Sequence, residues 1–178
     1  SSSCRVNFVM EYGNYGYRDE KTGADYRSRR TNIEATMQRR MWHQNDPGVV
    51  PNVLITGPGA PTGILVYEGN LLPEQFHGQM IHAEPGRNIV WAFPTKQAGA
   101  GYTARIVDLV RSDVDRDYRP SDVSVAPDGS LFIADWFDPV DCCHRTINDA
   151  GRIFRVAPPG HLYKIVVYDY QTAAGAVQ

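Results

Sequence analysis

The sequence predicts an all-β fold built from small antiparallel sheets, of the kind that form the blades of a β-propeller. Three observations support this prediction. One strand pattern occurs twice in the chain, its apolar runs are short and rich in Val, Ile and aromatic residues, and turn residues bound each run. Together they predict two to three blades, with a short helical insertion near residues 31–41.

The strand pattern repeats at similar spacing. Three pairs of segments lie 59, 51 and 64 residues apart, namely Pro61–Val66 with Pro120–Val125, Gly78–Ala83 with Gly129–Ala134, and Asn88–Pro94 with Arg152–Pro158. Surface loops tolerate insertions whereas strands do not. The uneven offsets therefore favour two related units with matching strands and loops of different length.

The first unit contains four apolar runs, which are Ile64–Tyr67, Gln79–Ala83, Ile89–Phe93 and Ala104–Val110. Several of these runs are continuously apolar rather than alternating, which is typical of sheets covered on both faces. Four-stranded sheets stacked face to face are the blades of a β-propeller.

The segment PDGS at 127–130 predicts a tight turn, because proline fixes one φ and glycine accepts a positive one. Both flanks are rich in strand-forming residues. We therefore expect a hairpin with Asp128 and Gly129 at its tip, between the strands Asp122–Ala126 and Leu131–Asp135.

The chain holds material for fewer than three blades, since one unit spans about sixty residues and propellers close with roughly four to eight blades. We therefore expect residues 1–178 to be part of a larger propeller and not an independently stable domain. The blades at either end would leave apolar faces and strand edges open. A small β-sandwich with a fortuitous repeat is the alternative.

The composition is that of an ordinary soluble domain, with 42% hydrophobic and 21% charged residues among 178. The net charge of −2 gives no bulk attraction to nucleic acid, and no apolar run approaches the length of a membrane span.

The chain has three cysteines, Cys4, Cys142 and Cys143. An odd number does not indicate a framework of disulfides, and their spacing is not that of a zinc site or of a haem-attachment motif. Cys142 and Cys143 are interpreted as incidental thiols in a loop.

Two segments lie outside the repeated units. Residues 31–41 predict a helix, because Thr31 and Glu34 have capping-box spacing. Arginines cluster around this segment, either as a solvated face or as a docking surface for an acidic partner. Residues 161–178 predict a last strand, followed by a helix that begins at Thr172.

The candidate site residues lie in loops. In a propeller, the loops that lead into the innermost strands gather around the central channel, and Arg119 lies in such a loop. It could bind a carboxylate in the channel, or instead form a salt bridge with Asp117 or Asp122. The polar segment WHQND contributes His43 and Asp46 as further candidates for a polar site.

Five sequence motifs, taken in their order along the chain, resemble those of one protein family. They are GNYGYRD, TGPGAPTGILVYEGNLLPEQFHGQM, NIVWAF, YRPSDVSVAPDGSLFIADW and GRIFRVAPPG. Together they resemble the glucose/sorbosone dehydrogenase family, the six-bladed propellers of soluble quinoprotein sugar dehydrogenases. The closest resemblance is to large bacterial membrane-bound dehydrogenases, in which helical repeats and often a c-type haem domain follow the propeller. This implies that residues 1–160 are the last two to three of six blades, and that residues 161–178 are a linker and the start of the helical repeats.

The resemblance also implies a cofactor, pyrroloquinoline quinone (PQQ), together with calcium. The family binds PQQ with two arginines in the loop before the PDG turn; Arg119 matches one of them, and Ser121 stands where the second would be. A family lysine corresponds to Arg87 here. We therefore expect Arg119 and Arg87 to bind the cofactor, with His43 and Asp46 as further polar candidates. The resemblance places the catalytic histidine and much of the calcium site in earlier blades, so the catalytic residue is left unassigned and no metal ligand is assigned in this chain.

The function implied is oxidation of a sugar or alcohol in the periplasm or another extracytoplasmic compartment. Electrons would pass to a cytochrome c-type acceptor, with haem only in a separate domain, and the remaining blades would come from the same protein or from other subunits. The alternative is a non-enzymatic propeller that binds glycans or a partner protein. A third reading is a calcium-dependent, lactonase-like propeller, to which this chain would contribute Asp46, Asp122 and Asp135.

Overall fold

The computed structural model of the chain describes residues 4–18, 23, 25, 46–137 and 151–163. The strands in these residues are β1 (Cys4–Val6), β2 (Leu54–Gly57), β3 (Ile64–Val66), β4 (Met80–Glu84), β5 (Ile89–Phe93), β6 (Thr95–Ala98), β7 (Gly101–Ala104), β8 (Val107–Arg111), β9 (Pro120–Val125), β10 (Leu131–Asp135) and β11 (Arg152–Val156). The same residues include short 3-10 turns at Glu74–Phe76 and Pro85–Arg87. The helix predicted at 31–41, the candidate His43, the Cys142–Cys143 pair and residues 164–178 lie outside the described residues.

The first unit forms a four-stranded antiparallel sheet in the order β3-β4-β5-β8. Three of its predicted runs are strands, but the predicted fourth run, Ala104–Val110, is not one strand. Ala104 ends β7 and Val107 begins β8, because the hairpin of β6 and β7 is inserted after β5. The amide of Arg105 donates to the carbonyl of Pro94 at 3.2 Å, which closes the base of this insertion.

The second unit forms a three-stranded antiparallel sheet in the order β9-β10-β11. The hairpin predicted around Asp128 and Gly129 is confirmed, with Leu131 opposite Val125 in the register. Gly129 has a φ of 85°, which a glycine adopts without strain. Strand β9 begins at Pro120, two residues earlier than predicted.

The centre of the four-stranded sheet is covered on both faces, as continuous apolar runs predict, whereas Ile64 and Val66 of β3 are exposed on one face. All five residues of β5 are buried. One face packs against the three-stranded sheet in a core that includes Ile81, Val90, Leu131 and Ile133. The opposite face packs against the sheet of β1 and β2.

That second core contains Trp91 and Phe93 of β5, with Val6 and Leu54 packed against them.

The predicted all-β class is therefore confirmed. The stacking of small antiparallel sheets is consistent with neighbouring propeller blades. Within the described part of the chain, no helix is long and apolar enough to cross a membrane.

Candidate functional site

Three loops of the two larger sheets meet at one end of the molecule, which we call the loop face (residues 57–63, 85–88 and 112–119). The amide of Gly63, just before β3, donates to the carbonyl of Ser121 in β9 at 3.3 Å. The amide of Ser112 donates to the carbonyl of Asn88 at 3.4 Å. The starts of β3 and β9 and the turn after β4 are therefore neighbours in space.

A buried carboxylate ends the second strand of each larger sheet and holds the loop that leads into the first strand. Glu84 accepts hydrogen bonds from the amides of Ala60 at 2.6 Å and Gly86 at 3.1 Å. Asp135 accepts from the amides of Arg119 at 2.7 Å and Phe137 at 3.0 Å. The donors occupy equivalent places, one before the first strand and one two residues after the acid. Each carboxylate therefore fixes the backbone of the loop face.

The two carboxylates differ in their third partner. Asp135 is paired with the guanidinium of Arg152, whose Nε donates to Oδ2 at 2.7 Å. Glu84 has His82 instead, with Nε2 of His82 3.9 Å from Oε2, which is an electrostatic contact and too long for a hydrogen bond. Among the described residues, Oε2 of Glu84 has no hydrogen-bond donor. Burial raises the pKa of Glu84, but the neighbouring His82 and the two amide donors outweigh it and lower the pKa below its usual value.

The two predicted arginines both lie on the loop face. Arg119 donates from Nη1 to the carbonyls of Arg116 and Tyr118, the second at 3.2 Å. Arg87 donates from Nε to the carbonyl of Pro58 at 2.7 Å, and its guanidinium lies 5.6 Å from the ring centre of Trp91. Both guanidinium groups therefore contact uncharged partners, namely backbone carbonyl oxygens and, for Arg87, an aromatic ring.

Neither guanidinium forms an ion pair within the described part of the chain. The salt bridge considered between Arg119 and Asp117 or Asp122 does not occur there. Among the described residues, these two guanidinium groups of the loop face therefore have no carboxylate partner, whereas Asp113 and Asp115 of the same face are paired with Arg111 and Arg152.

The other candidates lie elsewhere. Asp46 begins a turn in which its carbonyl accepts from the amide of Val49 at 3.1 Å. Val50 and Asn52, which follow, line a cavity with the β6–β7 hairpin, at the end of the sheet opposite the loop face. Ser121, at the position of the second family arginine, turns its hydroxyl to the carbonyl of Ala134 at 3.3 Å.

The carboxylates proposed for a lactonase-like ring are engaged locally. Asp122 accepts from the amide of Val123 at 2.9 Å, and Asp135 is buried against Arg152. In residues 4–18, 23, 25, 46–137 and 151–163, no group of three or more His, Cys, Asp or Glu side chains could hold a metal ion.

Sequence reasoning missed the residues that organise the loop face, namely Glu84, Asn88, Asp115 and Arg152. A signal for Glu84 was available. It lies 51 residues before Asp135, the offset of the aligned second strands, and Ala60 lies 59 residues before Arg119, the offset of the first strands. Extending the alignment by one residue at each strand end would have paired the two carboxylates and their amide donors.

A family model described as "Domain of unknown function (DUF7133)" matches residues 14–160. The chain belongs to the DUF7133 family. The match spans both larger sheets and all three loops of the loop face, so the site described above lies inside the DUF7133 domain. The comparison with curated proteins found no match.

The DUF7133 domain also resembles a solved structure, that of a provisionally assigned oxidoreductase (glucose dehydrogenase) from Thermus thermophilus. The two share 15% sequence identity with a TM-score of 0.39, over 51% of this chain and 24% of that one. The matched part is thus about a quarter of that protein, and a likeness at this level carries no argument about the activity of the DUF7133 domain.

Proposed function

We propose that this chain is the part of an extracytoplasmic quinoprotein-type dehydrogenase that holds the carboxylates of PQQ. The enzyme would oxidise a sugar or alcohol and pass electrons to a c-type haem outside this chain. The observation that supports this proposal is the pair of guanidinium groups, Arg87 and Arg119, on the loop face without carboxylate partners among the described residues. The resemblance of the motifs around Arg119 to quinoprotein sugar dehydrogenases supplies the identity of the anion.

The guanidinium groups of Arg87 and Arg119 suit the carboxylates of PQQ in charge and in hydrogen-bonding capacity. A guanidinium offers a planar fork of donors that matches a carboxylate, and such charge-assisted bonds are stronger than neutral ones. Arg119 and Arg87 would hold the carboxylates of PQQ, which supplies the electron-accepting chemistry when bound. The calcium ion would take its ligands from residues outside the described part of the chain.

Titration of the full-length protein with PQQ, in the presence and absence of calcium, tests this proposal. Arg119→Gln and Arg87→Gln should each weaken PQQ binding by about tenfold or more, since each removes one charged partner of a carboxylate. Arg105→Gln is the control, because Arg105 is exposed and follows the β6–β7 hairpin at the opposite end of the sheet. Equal affinities in all variants, or no uptake of PQQ by the wild type, would contradict the proposal. Reduction of a dye by the loaded protein with aldoses and simple alcohols would then define the substrate.

A second candidate function, a glycan-binding platform, is favoured by a cavity at the opposite end. This cavity of about 420 Å³ lies between β1 and the β6–β7 hairpin and is lined by Phe8, Met80, Gln97 and Tyr102, among others. Phe8 and Tyr102 meet edge to face, with ring centres 4.9 Å apart. Aromatic rings beside amide side chains can pack against the apolar faces of sugars and bind their hydroxyls.

The two candidates predict opposite mutational patterns. If the glycan platform is correct, Tyr102→Ala should abolish binding of a neutral oligosaccharide, and Arg119→Gln should not affect it. If the dehydrogenase is correct, Arg119→Gln should weaken PQQ binding, and Tyr102→Ala should leave it unchanged. Calorimetric titration of both variants with both ligands separates the two functions.

A further inference from the structure

We infer that Asn88 and Arg152 are positioning residues that fix Arg119 in the orientation in which it can receive an anionic ligand. This inference deepens the proposed function and rests on it. Arg119 lies in the 112–119 loop, which joins β8 of one sheet to β9 of the next. Its side chain is long and would be free to move if only its own backbone held it.

Asn88 holds the carbonyls on which Arg119 rests. It adopts a left-handed conformation with φ 57° and ψ 41° at the end of the turn after β4. From this place its side-chain amide donates to the carbonyls of Arg116, at 2.9 Å, and Tyr118. These are the same two carbonyls that accept from Nη1 of Arg119. Asn88 therefore sets the position of both acceptors from a neighbouring turn.

Arg152 holds the loop at two further points. Its Nη1 lies 2.7 Å from Oδ2 of Asp115, near the start of the loop, and its Nε donates to Oδ2 of Asp135. Asp135 in turn accepts from the amide of Arg119, at the end of the loop. Arg152 also lies over the rings of Phe137, at 4.4 Å, and Phe154, at 5.2 Å, so the guanidinium is fixed by packing as well as by charge.

The backbone of Arg119 is tied on both sides. Its amide donates to Asp135, and its carbonyl accepts from the amide of Trp136 at 2.9 Å. Backbone and side chain of Arg119 are therefore ordered before any ligand binds. Ordering a long side chain costs entropy, so an arginine that is already oriented binds a carboxylate more tightly than a mobile one.

A double-mutant cycle on the full-length protein tests this inference, with PQQ as the probe. Asn88→Gly removes the side-chain amide and retains the left-handed backbone, because glycine adopts positive φ without strain. We expect Asn88→Gly to weaken PQQ binding about tenfold in the wild-type background, and by less than about twofold in the Arg119→Gln background. Equal losses in both backgrounds would show that Asn88 does not act through Arg119, and would overturn the inference.

Hydrogen exchange of the ligand-free protein gives an independent readout. Asn88→Gly and Arg152→Gln should each speed amide exchange of Arg119 and its neighbours in the 112–119 loop, while amides of β5 keep their protection. Arg105→Gln is again the control, because Arg105 is exposed and follows the β6–β7 hairpin, and it should change neither exchange nor PQQ binding. Unchanged exchange in the loop of Asn88→Gly would contradict the positioning role, even if Arg152→Gln does not fold. If the wild type does not bind PQQ, the proposed cofactor is wrong, and exchange alone still decides whether Asn88 orders the loop of Arg119.

Discussion

At the scale of single residues, one hydroxyl group joins the two larger sheets. Tyr67, fully buried after β3, donates to the carbonyl of Gly129 at 2.6 Å, in the turn between β9 and β10. The same hydroxyl accepts from the amides of Leu71 and Leu72, each at 3.0 Å. A phenolic hydroxyl can donate one bond and accept two, so its capacity is used completely.

Tyr67→Phe should therefore lower the free energy of unfolding by about 2–3 kcal/mol, because three backbone groups lose their partner in or near the core. Urea denaturation followed by circular dichroism measures this change. Tyr102→Phe is the matched control, because Tyr102 is 43% exposed and its hydroxyl should contribute little. A loss no larger in Tyr67→Phe than in the control would contradict the stated role of the hydroxyl.

At the scale of elements, the packing of the two larger sheets depends on a close approach of their first strands. A Cβ atom on Gly63, just before β3, would lie 2.8 Å from the Cα atom of Asp122 in β9. That distance is shorter than any van der Waals contact, and the clashing atom belongs to the backbone. Glycine is therefore required at this position by the neighbouring strand rather than by its own conformation.

Gly63→Ala should destabilise the protein by about 1–3 kcal/mol, since the two sheets must move apart to accept the methyl group. Thermal unfolding detects the change as a lower Tm. Gly101→Ala in β7 is the control, because the nearest atom to its added Cβ is the carbonyl oxygen of Ala98 at 3.9 Å. An unchanged Tm in Gly63→Ala would mean that the two strands do not approach as closely as the structure indicates.

At the scale of the whole molecule, several carboxylates tie separate segments together in their ionised form. The hydroxyl of Ser130, with Arg155 and His161, lowers the pKa of Asp128 well below 3.8, even though burial opposes this. Arg152 lowers the pKa of Asp115 in the same way. Glu84 also has a lowered pKa, for the reasons given above. A group whose pKa is lower in the folded state stabilises that state above its unfolded pKa, and this contribution is lost as the pH falls through the folded pKa.

Stability should therefore decrease as the pH is lowered below about 4.5, the region in which the unfolded carboxylates bind protons first. Urea denaturation at a series of pH values between about 6 and 3 measures this dependence. In Glu84→Gln the decrease should be shallower, because one of the ionised groups is absent. A free energy of unfolding that stays constant or rises over this range would contradict the assignment of ionised, paired carboxylates.

Much of the fold could be predicted from local sequence. The runs Ile64–Tyr67, Gln79–Ala83 and Ile89–Phe93 are largely apolar and bounded by turns; the third coincides with β5, and the first two match β3 and β4 to within one residue at each end. The β6–β7 hairpin could not be predicted in this way. Its strands, TKQA and GYTA, are polar and mostly exposed, so they lack the apolar pattern that marks a strand. Arg119 and Arg87 could be selected as site candidates from motifs, whereas their lack of ion-pair partners among the described residues required coordinates.

The sequence alone determined the all-β class, the turn at Asp128–Gly129 and the two-sided burial of β5, because these depend on side-chain periodicity and turn chemistry within a few neighbouring residues. Only the tertiary structure decided how the loop face is built. Glu84 and Ala60, Asn88 and Tyr118, and Arg152 and Asp115 are 24, 30 and 37 residues apart in the chain, and each pair is in direct contact. Asn88 and Tyr118, and Arg152 and Asp115, come together because loops and strands of two neighbouring sheets meet in space, and the local pattern around each residue does not specify its partner. Glu84 and Ala60 lie within one sheet, and only the alignment of the two repeated units, not the residues next to them in sequence, pairs them.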